Sequence, residues 1–196
     1  RALSCVIRCT LMFWVVLTVA VLYLISLYNG LVEVKNAVSK AWANIDVLLK
    51  QRHDELPKLI DTCKQYMQHE QATLEKVIAA RAKMSSARES QDVAAVGRAE
   101  TGLRSGLGQL FALAESYPDL KANEQFVQLQ ARISSLENSI ADRREFYNES
   151  VNINNVRIEQ FPGVLVARLF NFKAFELLKF TAEELTDVDV SARFKA

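Results

Sequence analysis

From Cys9 to Val32 the chain carries no charged residue, and the centre of that run, Leu11 to Leu27, reads LMFWVVLTVAVLYLISL. A helix rises about 1.5 Å per residue, so about 20 apolar residues cross the hydrocarbon layer of a bilayer. A lone segment in lipid must satisfy its own backbone hydrogen bonds, which only a helix does. Trp14 and Tyr28 flank the run as interfacial aromatics. A cleavable signal peptide has a shorter apolar stretch followed by small residues at a cleavage site. Here the helical pattern continues through Leu31-Val32-Glu33-Val34 with no A-x-A, which points to an uncleaved anchor. The sequence starts at Arg1, so either a leader was removed or the extreme N-terminus precedes it. Arg1 and Arg8 lie on one flank; Lys35, Lys40 and Lys50, with Glu33 and Asp46, lie on the other. The counts nearly balance, and the expectation leans narrowly to the N-terminus inside, with the bulk of the chain on the non-cytoplasmic side.

Beyond the anchor the apolar spacing becomes heptad-like. Leu31, Val34, Val38, Ala41, Ile45 and Leu48 form one seam, the pattern of a helix packed along a partner. The membrane helix is therefore expected to run on into the body. Pro57 is expected to mark a turn into a second helix, roughly Leu56 to Met84, with Cys63, Met67, Glu70, Leu74, Val77 and Arg81 on its seam. Asp92 is a candidate N-cap for a third helix reaching Glu115, in which Gly102-x-x-x-Gly106 would let a neighbouring backbone approach. Tyr117 to Leu120 reads as a turn. The longest soluble helix is expected over Asn123–Gln160, seamed by Phe126, Leu129, Ile133, Leu136, Ile140, Arg143, Tyr147, Val151, Asn154 and Ile158. Phe161-Pro162-Gly163 stops it, and Val164–Phe172 can form a short amphipathic helix before the tail. The expected organisation is a flank over 1–8, a transmembrane helix over 9–30, a helical bundle over 31–162, and a short helix with a tail over 163–196. The fold class is all-α.

Charge and chemistry exclude several functions. The formal net charge is +1 with both signs interspersed, which is not the clustered basic excess of a nucleic-acid surface. Cys5, Cys9 and Cys63 make neither a disulfide framework nor a CxxC zinc site and read as free thiols in apolar surroundings. His69-Glu70 opens like a zinc-binding HExxH, but position 73 is threonine, and the other histidine, His53, lies far off in sequence. No serine has a recognisable base. Asp46, Glu70 and Asp142 could in principle act as an acid/base pair, but on helices this rich in charge a solvated face is the commoner role. We therefore expect no catalytic, cofactor-binding or metal-binding residues, and no small-molecule substrate. Glu70, between Met67 and Leu74, is expected to be partly buried and paired with Arg81, Arg143 or Arg144, fixing helix register. Asn148, Asn152, Asn154 and Asn155 crowd one long helix although asparagine is a mediocre helix former. They serve either intramolecular packing or a polar interface.

The order and spacing of several short pieces carry a resemblance. They are Tyr28-Asn29 with Leu31-Val32, Ala41-Trp42 with Ile45-Asp46 and Leu48, and Arg52 with Leu56-Pro57. Next come Tyr66 with His69-Glu70, Ala80-Arg81, Ala114-Glu115 with Tyr117-Pro118, and Leu120 with Ala122-Asn123. Phe126 with Leu129-Gln130, Leu136-Glu137, Arg144, Tyr147-Asn148, Asn155 and Phe161-Pro162 complete the set. Over roughly residues 25–180 the chain resembles the LemA family of bacterial membrane-anchored proteins, departing where Asn154 stands in place of the family's aromatic. The resemblance implies an antiparallel bundle of long helices behind one anchor, no known enzymatic activity, and a link to membrane and envelope biology that includes a relative on magnetosome membranes.

The expected function is a membrane-anchored structural or scaffold protein, working as a homo-oligomer or as a subunit of a membrane complex. The alternative is an accessory or regulator of a membrane enzyme such as a protease. The expected location is a bacterial inner membrane, or an organellar inner membrane. Phe161, Leu165, Leu169, Phe170, Phe172, Phe175 and Phe180 are more large side chains than a small bundle absorbs. They are expected at the bilayer surface or against a neighbouring anchor, and deleting residues 161–196 is expected to leave the bundle helical while reducing assembly or membrane-surface contact.

Overall fold

A computed structural model describes the backbone of residues 2–179 and the side chains of residues 11–179. The side chains of Cys5 and Cys9, and the tail beyond Lys179 with Phe180, lie outside the described residues. Among those described, every regular element is a helix. These are α1 (Ala2–Tyr66), α2 (Gln71–Glu89), α3 (Val93–Ala114), the one-turn α4 (Pro118–Lys121), α5 (Glu124–Glu159) and α6 (Gly163–Leu169). The described residues form two compact units, one of residues 2–41 with Glu149–Phe175, the other of Trp42–Asn148 with residues 176–179. In the second unit the long helices alternate in direction. Asp46 meets Arg88 while His53 meets Arg81, so α2 runs against α1. Trp42 meets Tyr147 while Glu55 meets Arg132, so α5 runs against α1 as well.

The seams read from the sequence are the buried faces. Leu31, Val38, Ala41 and Ile45 are buried on α1. Further along, Leu56, Leu59, Cys63 and Met67 meet Leu74 and Val77 of α2, Leu103, Leu107 and Leu110 of α3, and Phe126, Leu129 and Ile133 of α5 in one core. Burial pushes the Cys63 thiol up to about 12, so it packs as an inert apolar side chain.

Pro57 does not end α1, correcting the expected turn. A proline inside a helix removes the hydrogen bond to the carbonyl four residues back and costs about 3 kcal/mol. That carbonyl belongs to His53, and it is not orphaned: Arg81 Nε on α2 donates to it at 3.1 Å. The second helix instead starts at Gln71, after a break over Met67–Glu70 that holds neither glycine nor proline. Side chains from the α3–α4–α5 connection flank this break: Asn123 donates to the Tyr66 hydroxyl at 3.1 Å and the Tyr117 hydroxyl donates to Glu70 at 3.3 Å. The remaining boundaries follow their caps. Asp92 accepts from the Ala95 amide at 2.9 Å, and Asn123 accepts from the Phe126 amide at 3.0 Å. The Tyr117–Leu120 turn is mostly the short helix α4.

Glycine packing differs in part from expectation. Gly106 does sit against Val77, but Gly102 faces open space. The tight approach is at Gly97, where an added Cβ would lie 2.3 Å from the Lys179 carbonyl oxygen.

If Arg81 satisfies the carbonyl freed by Pro57, the two residues are energetically coupled. Arg81→Leu should cost about 1–3 kcal/mol in thermal denaturation. In a Pro57→Ala background, where residue 57 again donates to His53, that cost should fall by about 1 kcal/mol. An equal cost in both backgrounds would contradict the assignment.

Candidate functional site

Among the described residues the most deeply buried charged group is Arg52, fully enclosed on α1. Its guanidinium forms a two-pronged pair with Glu100 of α3, Nη1 donating to Oε1 at 2.8 Å and Nη2 donating to Oε2. Glu137 of α5 stands 3.9 Å from Nη1, so one arginine links three helices. Bidentate pairing in a dry site constrains both distance and orientation. Such a pair roughly breaks even in net stability, because desolvation offsets the attraction, while loss of one partner leaves an uncompensated charge. Around it are more exposed pairs, Arg88 with Asp46 at 2.8 Å and Arg132 with Glu55 at 3.2 Å, of the kind that contribute little singly.

The residues singled out in the sequence fall as follows. Glu70 is half-buried as expected, but its partner is Tyr117 rather than an arginine, and Arg81 is engaged with His53. This corrects the expected Glu70–arginine pair: the break in the chain lifts Glu70 off the helical seam and places it ahead of α2. Arg143 is exposed. Burial, then the Arg81 charge, lowers the affinity of His53 for a proton, so the neutral ring accepts from Arg81 Nη2 at 2.8 Å through Nε2. His69 lies exposed on the rim of a cleft of about 610 Å3 at the α1–α2 break, with Lys64 and Glu75. Asp46 is occupied by Arg88 and Asp142 is exposed. No group of three potential metal ligands occurs among the described residues.

The asparagines have an intramolecular role. Asn155 clasps the backbone of Phe175, donating to its carbonyl at 2.9 Å and accepting from its amide at 3.0 Å. Asn148 repeats the device on Leu178, at 3.1 and 2.8 Å. The amide side chain offers one donor and one acceptor side by side, matching one residue of non-helical chain. Tyr147 donates to the Glu176 carbonyl at 3.0 Å, and Asn154 lies buried within reach of the Lys173 carbonyl, while Asn152 is exposed. Burial, then the Glu176 charge, raises the Tyr147 pKa, which keeps that hydroxyl protonated as a donor. Leu178 is buried, so removing residues 161–196 would strip a core side chain and both clasps. Such a truncation therefore disturbs bundle packing as well as removing the exposed apolar stretch.

In the first unit, residues 11–26 are all exposed within the chain, and α1 is the one described helix long and apolar enough to cross a membrane. At the end of that run, Leu27 and Leu31 pack with Val166 and Ala167 of α6, Ile158 and Phe172. The Tyr28 ring packs tilted against Phe170, centroids 4.8 Å apart, and edge-on against Phe172 at 5.9 Å. Two local devices fold the chain back here. An added Cβ on Gly163 would lie 2.9 Å from the Arg157 carbonyl oxygen, so the turn after α5 is too tight for a larger residue. Asn171, at φ 56°, then ends α6 in a Schellman motif, the Phe172 amide reaching the Ala167 carbonyl at 2.9 Å.

The buried pair allows a direct test of its role. Arg52→Met should destabilise by about 3–5 kcal/mol, since Glu100 is left charged in the core. Arg52→Met with Glu100→Leu should recover much of that loss in the same denaturation measurement. Losses that simply add would show that the two groups act independently.

Comparison with known proteins agrees with this architecture. Protein LemA of Metamycoplasma hominis is 28% identical over 178 residues, covering 90% of this chain and 80% of that protein. Magnetosome protein MamQ of Magnetospirillum gryphiswaldense is 31% identical over 78 residues, 40% of this chain. Magnetosome protein MamQ 1 of Paramagnetospirillum magneticum matches at the same identity and length. The chain spans 29% of the length of these magnetosome proteins. The pieces that carry the resemblance are also the ones that hold one another: Tyr66 with Asn123, Glu70 with Tyr117, Arg52 with Glu137, Trp42 with Tyr147. A model of the LemA family matches residues 41–192, most of the chain, and the chain belongs to the LemA family.

Proposed function

We propose that this protein is a non-enzymatic, membrane-anchored scaffold, acting as a homo-oligomer or as a subunit of a membrane complex in membrane or envelope organisation. The observation that carries the reading is α1. One helix holds both the exposed apolar run and the buried seam of a body whose interior carboxylates are held by arginines. Interior charge of this kind sets helix register. Likeness to proteins named for the magnetosome favours a role in organising a cellular structure over one in metabolism. The chain crosses the membrane once, with the body on the non-cytoplasmic side of a bacterial inner membrane.

The test is particle mass by light scattering after gentle detergent extraction of the full chain. A uniform particle of several copies, or a stable complex with other membrane subunits, is expected. A monomer that binds a membrane protease and alters its activity would favour the regulator reading instead.

A further inference from the structure

The anchor reading accounts for α1 and leaves the outer side of α6 unexplained. Val166 and Ala167 turn inward onto α1, whereas Leu165 and Leu169, one turn apart, are 60% and 78% exposed. Phe161 and Phe170 flank the two ends of α6 at 80% and 56% exposure. Isolated exposed apolar residues are common; four large ones along ten residues form a patch that marks a contact.

Its position says what covers it. The patch is tied by Tyr28, Leu27 and Leu31 to the last turns of the charge-free run. Residues 9–32 as helix rise on the order of 36 Å, against about 30 Å of hydrocarbon, so those last turns reach headgroup depth. α6 is thus held at the end of the exposed apolar run of residues 11–26. Charge agrees: residues 157–173 hold Arg157, Arg168 and Lys173, all exposed, against Glu159 alone. A short apolar face rimmed by basic side chains is the composition of an interfacial membrane element.

We propose that residues 161–170 form a bilayer foot. Phe161, Leu165, Leu169 and Phe170 insert beside α1 at the headgroup–acyl boundary of an anionic phospholipid bilayer, and Arg157, Arg168 and Lys173 meet lipid phosphates. The proposal rests on α1 being the anchor, and the test separates the two. The full chain is placed in nanodiscs containing phospholipids with a photoreactive acyl chain, irradiated, and mapped by mass spectrometry. Lipid adducts are expected on residues 161–170 as well as on residues 11–27, and absent from Val127 and Phe146, which are exposed on the body. Leu165→Glu with Leu169→Glu should abolish the adducts on 161–170 while those on α1 and the helix content by circular dichroism stay unchanged. Replacing the anionic lipid by a zwitterionic one should lower labelling of 161–170 several-fold relative to α1. Labelled α1 with an unlabelled 161–170, or a cross-link from this face to a second copy of the chain, would overturn the foot alone. An unlabelled α1 would overturn the anchor with it.

Discussion

As the proposed membrane anchor, α1 has to satisfy two solvents along one continuous hydrogen-bonded helix. Over residues 11–26 no described residue covers it, and from Leu31 to Cys63 one stripe of it is covered at every turn or two. Lipid accepts an apolar side chain on any side of a helix, whereas a bundle accepts it only along the seam. The exposure pattern therefore changes where Glu33 introduces the first charge after the run. Every other long helix takes its register from this second stretch. α2 does so through Arg81 and Arg88, α3 through Glu100, and α5 through Arg132, Glu137 and Tyr147.

Two costs are built into α1 and both are met by side chains from neighbouring helices. Pro57 frees a carbonyl that Arg81 occupies, and the buried Arg52 is balanced by Glu100. The Arg52–Glu100 pair adds little net stability, since a hydrophobic replacement of both partners would do as well. What both arrangements add is penalty for misalignment. A slip of one helix past another would bury a bare charge or an unpaired carbonyl, costing several kcal/mol against a total stability of about 5–15 kcal/mol. Polar contacts thus select one packing among several that the apolar seams alone would tolerate.

Much of this was legible in the residues. The seams at Leu31–Leu48, Cys63–Val77 and Phe126–Ile158 are buried or partly buried where the spacing puts them, apart from Glu70, lifted off its seam by the break, and the exposed Arg143. Asp92, Gly163 and the Phe161-Pro162 stop act locally and were readable locally. Pro57 misled because its compensation comes from Arg81, 24 positions away in sequence. The break at Met67–Glu70 was hidden because no breaker residue marks it and the seam spacing passes straight through. A charge on a seam was the right signal for a buried pair, but it was applied to Glu70. The same signal sits at Arg52, in step with Ile45, Leu49, Leu56 and Leu59, and at Glu100, in step with Val96, Leu103 and Leu107. The asparagine clasps could not be read in advance, because their partners are backbone groups in a segment with no pattern of its own.

A protein whose anchor and body share one helix differs from a body tethered to the bilayer by a linker, and the difference is measurable. Amide hydrogen exchange of the full chain in nanodiscs reports it along α1. The account predicts continuous protection from the apolar run through residues 28–41 and on past Pro57 to Tyr66. Rapid exchange confined to residues 28–41 would show a hinge between anchor and body, and would contradict the account at its base.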